Sequence, residues 1–256
     1  MMIKPKNIDV IIGCEKSQVV CEAFRALGFN AFSCDTEPAT GAHPEWHLQM
    51  DVFDALRLRK WTLGIFHPPC TFMSKAGARF MFPKAGVIDE ERLAKAMEAK
   101  QFFMRLLEYG LPYEAVENPT PLKVVGLPEP SQVIQPYQFG HPFSKRTLLW
   151  TSNLPQLEHT DVLDEYEPFL PSNTGGAKRG QKHHRGTAKN ADEASVTFRG
   201  VGKAMAEQWG AYVMKKEWER MSRWEKIKTS VNYPPIAKLM GWASWVKASS
   251  NEDNVP

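Results

Sequence analysis

Apolar and polar positions in the first 120 residues switch repeatedly between two periods. The run IDVIIG, 8–13, is unbroken and apolar, as a strand buried on both faces requires. KSQVVCEAFRALG, 16–28, instead places Val19, Val20, Ala23, Phe24 and Leu27 at helical spacing, and Gly28 predicts a left-handed cap. FNAFSCD is the next strand, ending at Asp35; LQMDVFDAL holds a short strand ending near Asp51; WTLGIF is another, running into the corner His67-Pro68-Pro69-Cys70. Asp89 then caps a long helix whose inner face is Leu93, Ala96, Met97, Phe103, Leu106 and Leu107, stopped at Gly110. YEAVENP is a further strand with Glu117 and Asn118 at its carboxyl end.

Such alternation predicts an open α/β sheet, mostly parallel, with right-handed crossovers and helices on both faces. Ligands sit beyond the carboxyl ends of strands in these sheets. Gly13, Glu15, Asp35, Asp51, Cys70 and Glu117 all fall there. After KRTLLWTSNLP the pattern breaks into proline-rich and polar sequence to about Ser195, and VTFRGVGKAMAEQWGAYVMKKEWERM restores helical periodicity. The expected division is a catalytic, cofactor-binding α/β domain at 1–150, a small basic lobe or loop at 151–196, a returning helix at 197–213 and a helical extension at 214–256.

Composition narrows the class. The chain has 256 residues, 43% hydrophobic, enough for one good-sized core. No apolar run approaches the roughly 20 residues that span a bilayer, and the charged start MMIKPKNIDVIIG turns into a strand too soon for a signal peptide, so a cytoplasmic protein without a membrane partner is expected. Cys14, Cys21, Cys34 and Cys70 lie far apart with no C-x-x-C pair, which argues for reduced thiols. The net charge of +3 is uninformative, but its distribution is not. Between Pro168 and Ala191 there is no acidic residue, while Lys178, Arg179, Lys182 and Arg185 fall there with Lys189, His183 and His184. That stretch reads either as a solvated linker or as an arm that contacts phosphates.

The strand ends carry the candidate chemistry. A strand turning on GCEKSQ into a helix offers Gly13, Cys14 and Glu15, with backbone N–H groups and a helix N-terminus, to a ligand. Asp35 suits a ribose hydroxyl pair and Asp51 an adenine amino group; in that order the three favour an adenosine-containing cofactor. Cys70 has three readings: a small buried hydrophobe, a metal ligand, or a nucleophile. Two prolines hold its thiol at a fixed place on the ligand edge, and a thiolate attacks well once its pKa is lowered. The histidines give no closed metal set with it.

Taken together, HPPCTFMS resembles the Pro-Cys motif of the DNA cytosine carbon-5 methyltransferases, and VENP resembles their Glu-Asn-Val motif. IIGCEKSQ, Asp35 and Asp51 stand where the cofactor motifs of that family stand; QPYQFGHPFSKRT is similar to its Gln-Arg motif and FRGVGKAMAEQWG to its last, glycine-containing helix motif. The order holds over residues 8 to 210, and the text as a whole resembles short phage and prophage members. The resemblance implies a Rossmann-like S-adenosylmethionine-dependent methyltransferase fold acting on double- or single-stranded DNA, expected as a monomer in a bacterial or phage-infected cell, with Cys70, Glu117, Asn118 and Arg146 catalytic and Pro68 and Gly202 joining Gly13, Cys14, Glu15, Asp35 and Asp51 around the cofactor. Amino-group methyltransferases carry Asp or Asn before the two prolines and an aromatic after them, where this chain has His67 and Cys70. The small lobe at 151–196 leaves two alternatives open: modification of a free pyrimidine nucleotide, or a silent nucleic-acid-binding protein with the same fold.

Overall fold

The computed structural model describes residues 4–169 and 195–221. Its sheet has seven strands in the order β3-β2-β1-β4-β5-β8-β6: β1 (Asp9–Gly13), β2 (Asn30–Asp35), β3 (His47–Gln49), β4 (Leu63–Phe66), β5 (Tyr113–Pro119), β6 (Gln132–Ile134) and β8 (Thr147–Ser152). The pairs among β3, β2, β1, β4 and β5 are parallel, whereas β8 is inserted antiparallel between β5 and β6. This is the open, mostly parallel sheet with helices on both faces that the strand–helix alternation predicts. A two-stranded ladder joins β7 (Phe143–Ser144) to β9 (Glu167–Pro168).

Each sheet face has its own core. One face carries Val10, Ile12, Leu63, Ile65, Tyr113, Ala115, Ile134 and Leu149 against α1 (Val19–Ala26) and the C-terminal helical segment. That segment comprises α5 (Arg199–Ala204), a π turn (Met205–Trp209) and α6 (Gly210–Arg220). The opposite face carries Ile11, Phe66, Val116, Leu148 and Trp150 against α2 (Val52–Arg57) and α4 (Glu90–Leu107). Strict alternation along β1, β4, β5 and β8 thus deals successive residues to opposite cores. The short α3 (Ala78–Met81) follows the Cys70 corner.

Local chemistry explains the element ends. Gly28 has φ +85° after α1, and Asp89 accepts the Arg92 N–H as the cap of α4. Asp51 lies two residues beyond β3 and caps α2 through the Phe53 N–H. β6 and the ladder of β7 with β9 have no counterpart in the sequence expectation, because runs of two or three residues show no readable period. β8 runs through Ser152, across the expected lobe boundary, and α6 continues through Met214 to Arg220 without a break. The final amphipathic stretch expected near NYPPIAKLMGWASWVKA lies outside the described residues. No helix among the described residues is long and apolar enough to cross a membrane.

Glu114 on β5 faces the α4 side, 2% exposed, and accepts the Leu111 N–H at 3.4 Å. Burial pushes its carboxyl up from about 4.5 to about 7, against the Leu111 and Gly110 N–H groups that favour the anion. A group whose folded pKa is raised contributes stability that is complete below its unfolded pKa and lost as pH climbs through the folded one. Glu114→Gln should therefore gain stability relative to the parent by about 2 to 3 kcal/mol between pH 4.5 and pH 8, measured by urea denaturation at each pH.

Candidate active site

The Cys70 corner is built by running out of ladder. The His67 N–H donates to the Gly13 carbonyl at 2.9 Å, extending the pairing of β1 with β4 by one residue. Pro68 and Pro69 have no N–H to continue it. The corner is then secured from β5: Asn118, 1% exposed, donates from Nδ2 to the Pro68 carbonyl at 2.8 Å. Beyond it the Met73 and Ser74 N–H groups both donate to the Cys70 carbonyl, at 3.0 and 2.9 Å. Two bonds sew this turn to the chain after β5, Leu122 N–H to Met73 O at 2.7 Å and Lys75 N–H to Thr120 O at 3.0 Å. Arg92 of α4 donates to the Thr71 carbonyl at 2.9 Å.

Alternation brings the charged groups together on the other side of the same strands. Leu63 and Ile65 pair with Tyr113 and Ala115, so the next residues on that face are His67 and Glu117. His67 Nδ1 lies 3.2 Å from Glu117 Oε2, with side chains only 10% and 18% exposed. Glu117 and Lys145 line one small recess together with Thr147, Ser195, Thr197 and Phe198. Lys145 Nζ is 5.7 Å from the ring centres of both Phe169 and Phe198.

These groups sense one another. Burial pushes the Cys70 thiol up and the Glu117 charge adds to it; Lys145 and a hydrogen bond with Ser74 oppose the rise. Cys70 and Glu117 are therefore brought into one electrostatic neighbourhood from the ends of adjacent parallel strands. Burial would lower the His67 pKa, but its bond to Glu117 and the charges of Glu117 and Glu15 outweigh burial and the opposing Lys145, holding it above the ordinary value.

The remaining expected site residues lie along the β1–β2–β3 edge. Burial pushes the Cys14 thiol up, and the charges of Asp35 and Asp51 add to the rise, so these three converge. Asp35 accepts the Glu37 N–H and Asp51 the Phe53 N–H, each through Oδ1. Of these two carboxylates, at the end of β2 and just past β3, Oδ2 of each accepts no hydrogen bond among the described residues, the kind of acceptor that hydroxyl and amino donors require. Gly13 serves packing as well: a Cβ there would meet Phe66 and Val52 at 2.6 and 2.7 Å. Glu15 is buried, and its carboxylate accepts the N–H groups of Val20 at 2.7 Å and Cys21 at 3.3 Å, so it occupies the very helix N-terminus that the sequence offers to a ligand. Gly202 packs on Val19 and Val20 of α1, where an added Cβ would make ordinary contacts from 3.5 Å. Two residues earlier, a Cβ on Gly200 would lie 1.9 Å from the Phe139 carbonyl, and the Gly200 N–H donates to His141 Nε2 at 2.8 Å.

Arg146 is exposed and is not among the residues lining the recess, whereas Lys145 and Thr147, two apart, both are. Period-two counting back from LLW would have assigned the recess to Lys145. His67 carries the same signal, in phase with Leu63 and Ile65. Lys178, Arg179, Lys182 and Arg185 lie outside the described residues.

No protein-family model matches this chain, and no curated protein does. Solved structures do. A DNA modification methyltransferase encoded within a prophage (E. coli) aligns over 56% of this chain and 46% of its own, at 13% identity and TM-score 0.34. The S. pombe Dnmt2 methyltransferase aligns over 62% and 52%, at 15% identity and TM-score 0.34. A Spodoptera frugiperda DNMT2 mutant aligns over 64% and 55%, at 13% identity and TM-score 0.31. The chain spans about half the length of the solved structures it matches.

Two consequences of the geometry are measurable. Glu117→Gln removes a charge that opposes thiol ionisation, so Cys70 should alkylate with iodoacetamide faster than in the parent at pH 8, read by peptide mass spectrometry. Asn118→Ala strands the buried Pro68 carbonyl and should cost about 1 to 3 kcal/mol in denaturant unfolding, whereas a surface substitution such as Glu91→Ala should stay within about 0.5 kcal/mol.

Proposed function

We propose that this protein is an S-adenosylmethionine-dependent methyltransferase acting on carbon 5 of cytosine in DNA through a transient Cys70 adduct. The observation that carries the reading is the placement of Cys70 and Glu117 at the ends of β4 and β5, joined by the Asn118–Pro68 hydrogen bond and coupled electrostatically. It coincides with the motifs HPPC and VENP at those two ends.

The chemistry requires both groups. Carbon 5 of cytosine is too weak a nucleophile to accept a methyl group from a sulfonium, so the ring is first activated by sulfur attack at carbon 6. Attack drives charge onto ring nitrogen 3, where an acid in the ring plane supplies a proton; Glu117 takes that role. Asn118 holds the corner that aims the thiol, and Lys145, rather than the exposed Arg146, offsets the growing negative charge beside Glu117. Cys14, Asp35 and Asp51 hold the adenosine end of the cofactor. When bound, S-adenosylmethionine supplies the electrophilic methyl group. Loss of the carbon 5 proton then expels Cys70. In duplex DNA the base must leave the stack, at a cost of a few kcal/mol, and the basic stretch around Lys178, Arg179, Lys182 and Arg185 is assigned the phosphate contacts that offset it.

Labelled methyl from S-adenosylmethionine should enter DNA, and Cys70→Ser should abolish transfer while leaving cofactor affinity intact in equilibrium dialysis. DNA containing 5-fluorocytosine should form a denaturation-resistant complex only when Cys70 is present. Label entering free dCMP but not DNA would move the substrate to the nucleotide. Cofactor binding with neither label nor trapped complex would leave a silent binding protein.

A further inference from the structure

His67 stands at the one position of HPPC that the chemistry above leaves unused. Its backbone continues the β1–β4 ladder and its ring lies between two strand ends, contacting Glu117 Oε2 through Nδ1. Glu15 approaches from the turn after β1 and Lys145 from the chain before β8, so the imidazole is enclosed by the charges of three elements. Nε2 is buried and has no hydrogen-bond partner among the described residues, which leaves Nδ1 as the ring's one directional contact. A carboxylate has two oxygens. Fixing one of them orients the other.

Resting on the cytosine chemistry proposed above, we infer that His67 is a positioning residue: its Nδ1–H grips Oε2 of Glu117 so that Oε1 acts as a single proton carrier from the Cys70 thiol to ring nitrogen 3. The step is self-contained. The S–H bond breaks and its proton passes to Oε1 as the sulfur–carbon 6 bond forms. The carbon 5–carbon 6 π pair moves to the carbon 4–carbon 5 bond, the carbon 4–nitrogen 3 π pair moves to nitrogen 3, and that nitrogen takes the proton from Oε1. Glu117 ends as the carboxylate it began as, and no external acid or base is consumed. The same carboxylate whose charge discourages a free thiolate thereby becomes the acceptor of the thiol proton.

The test is exchange of tritium from carbon 5 of cytosine into water without cofactor, which requires sulfur attack with nitrogen protonation, then protonation at carbon 5 and loss of the triton with expulsion of Cys70, but no methyl donor. Asparagine places an amide N–H where Nδ1–H stands, whereas glutamine, one carbon longer, places it near Nε2. His67→Ala and His67→Gln should each slow exchange by about 100-fold with little change in KM for DNA, as expected for a displaced catalytic group, while His67→Asn should recover most of the rate. Equal rates in His67→Asn and His67→Gln, or a His67→Ala rate within about three-fold of the parent, would overturn the positioning role while leaving the cytosine reading in place. Absence of exchange by the parent protein on both DNA and dCMP would remove that reading and this inference with it.

Discussion

The hydrogen bond from Asn118 to the Pro68 carbonyl is the constraint on which the site depends. Strands β4 and β5 are parallel neighbours, so both chains leave the sheet at the same edge with no hairpin to hold them together. Past β4 the chain also lacks two N–H groups, at Pro68 and Pro69, and the ladder cannot follow it. A side-chain donor from β5 satisfies the stranded carbonyl. Such a bond contributes only about 1 kcal/mol net, but losing the donor exposes the full cost of a buried unpaired carbonyl. Its larger effect is geometric: it fixes where the turn that carries Cys70 begins.

Adjacent residues on one strand thereby serve two purposes. Asn118 and Glu117 point to opposite faces of β5, one toward the corner and the other toward the recess that Lys145 and Phe198 line. The same alternation separates Leu148 from Leu149 and Val116 from Ala115 into the two cores. Polar chemistry at the strand ends is thus an extension of apolar packing further down, and the helix pair on each face fixes the side chains that emerge there. Glu15 shows the converse: its carboxylate is drawn inward to satisfy the first turn of α1, and the anion-binding potential of that terminus is used within the protein.

β1, β2, β4, β5, α1 and α4 were legible because their periods run long enough to read and the helices carry chemical signals at their ends, Gly28, Asp89 and Gly110; β3, as short as β6, was expected only as part of the longer stretch LQMDVFDAL. The positions of Cys70, Glu117, Asp35 and Asp51 at or beyond strand ends were legible because each follows an apolar run that marks its strand. Arg146 and Lys145 were read together, because a motif fixes residue type more firmly than phase; phase distinguishes them, Lys145 lining the recess and Arg146 standing exposed. The need for glycine at Gly200 went unread because it comes from the Phe139 carbonyl, some sixty residues away in the chain, and no local pattern announces it. β6 escaped because three residues cannot display an alternation.

In the proposed reaction, a nucleophile that rests as a thiol looks at first like a poor one. Burial and the Glu117 charge both oppose ionisation of Cys70, and Lys145 only partly offsets them. A thiolate held permanently at this half-buried corner would, however, be open to oxidation and to adventitious electrophiles. In the proposed mechanism the charge that suppresses the thiolate is also the base that generates it, provided that an electron-poor ring stands between them to receive the sulfur and return the proton. Reactivity then depends on the base being seated in the site, and the geometry that enforces this dependence is the convergence of two neighbouring strand ends.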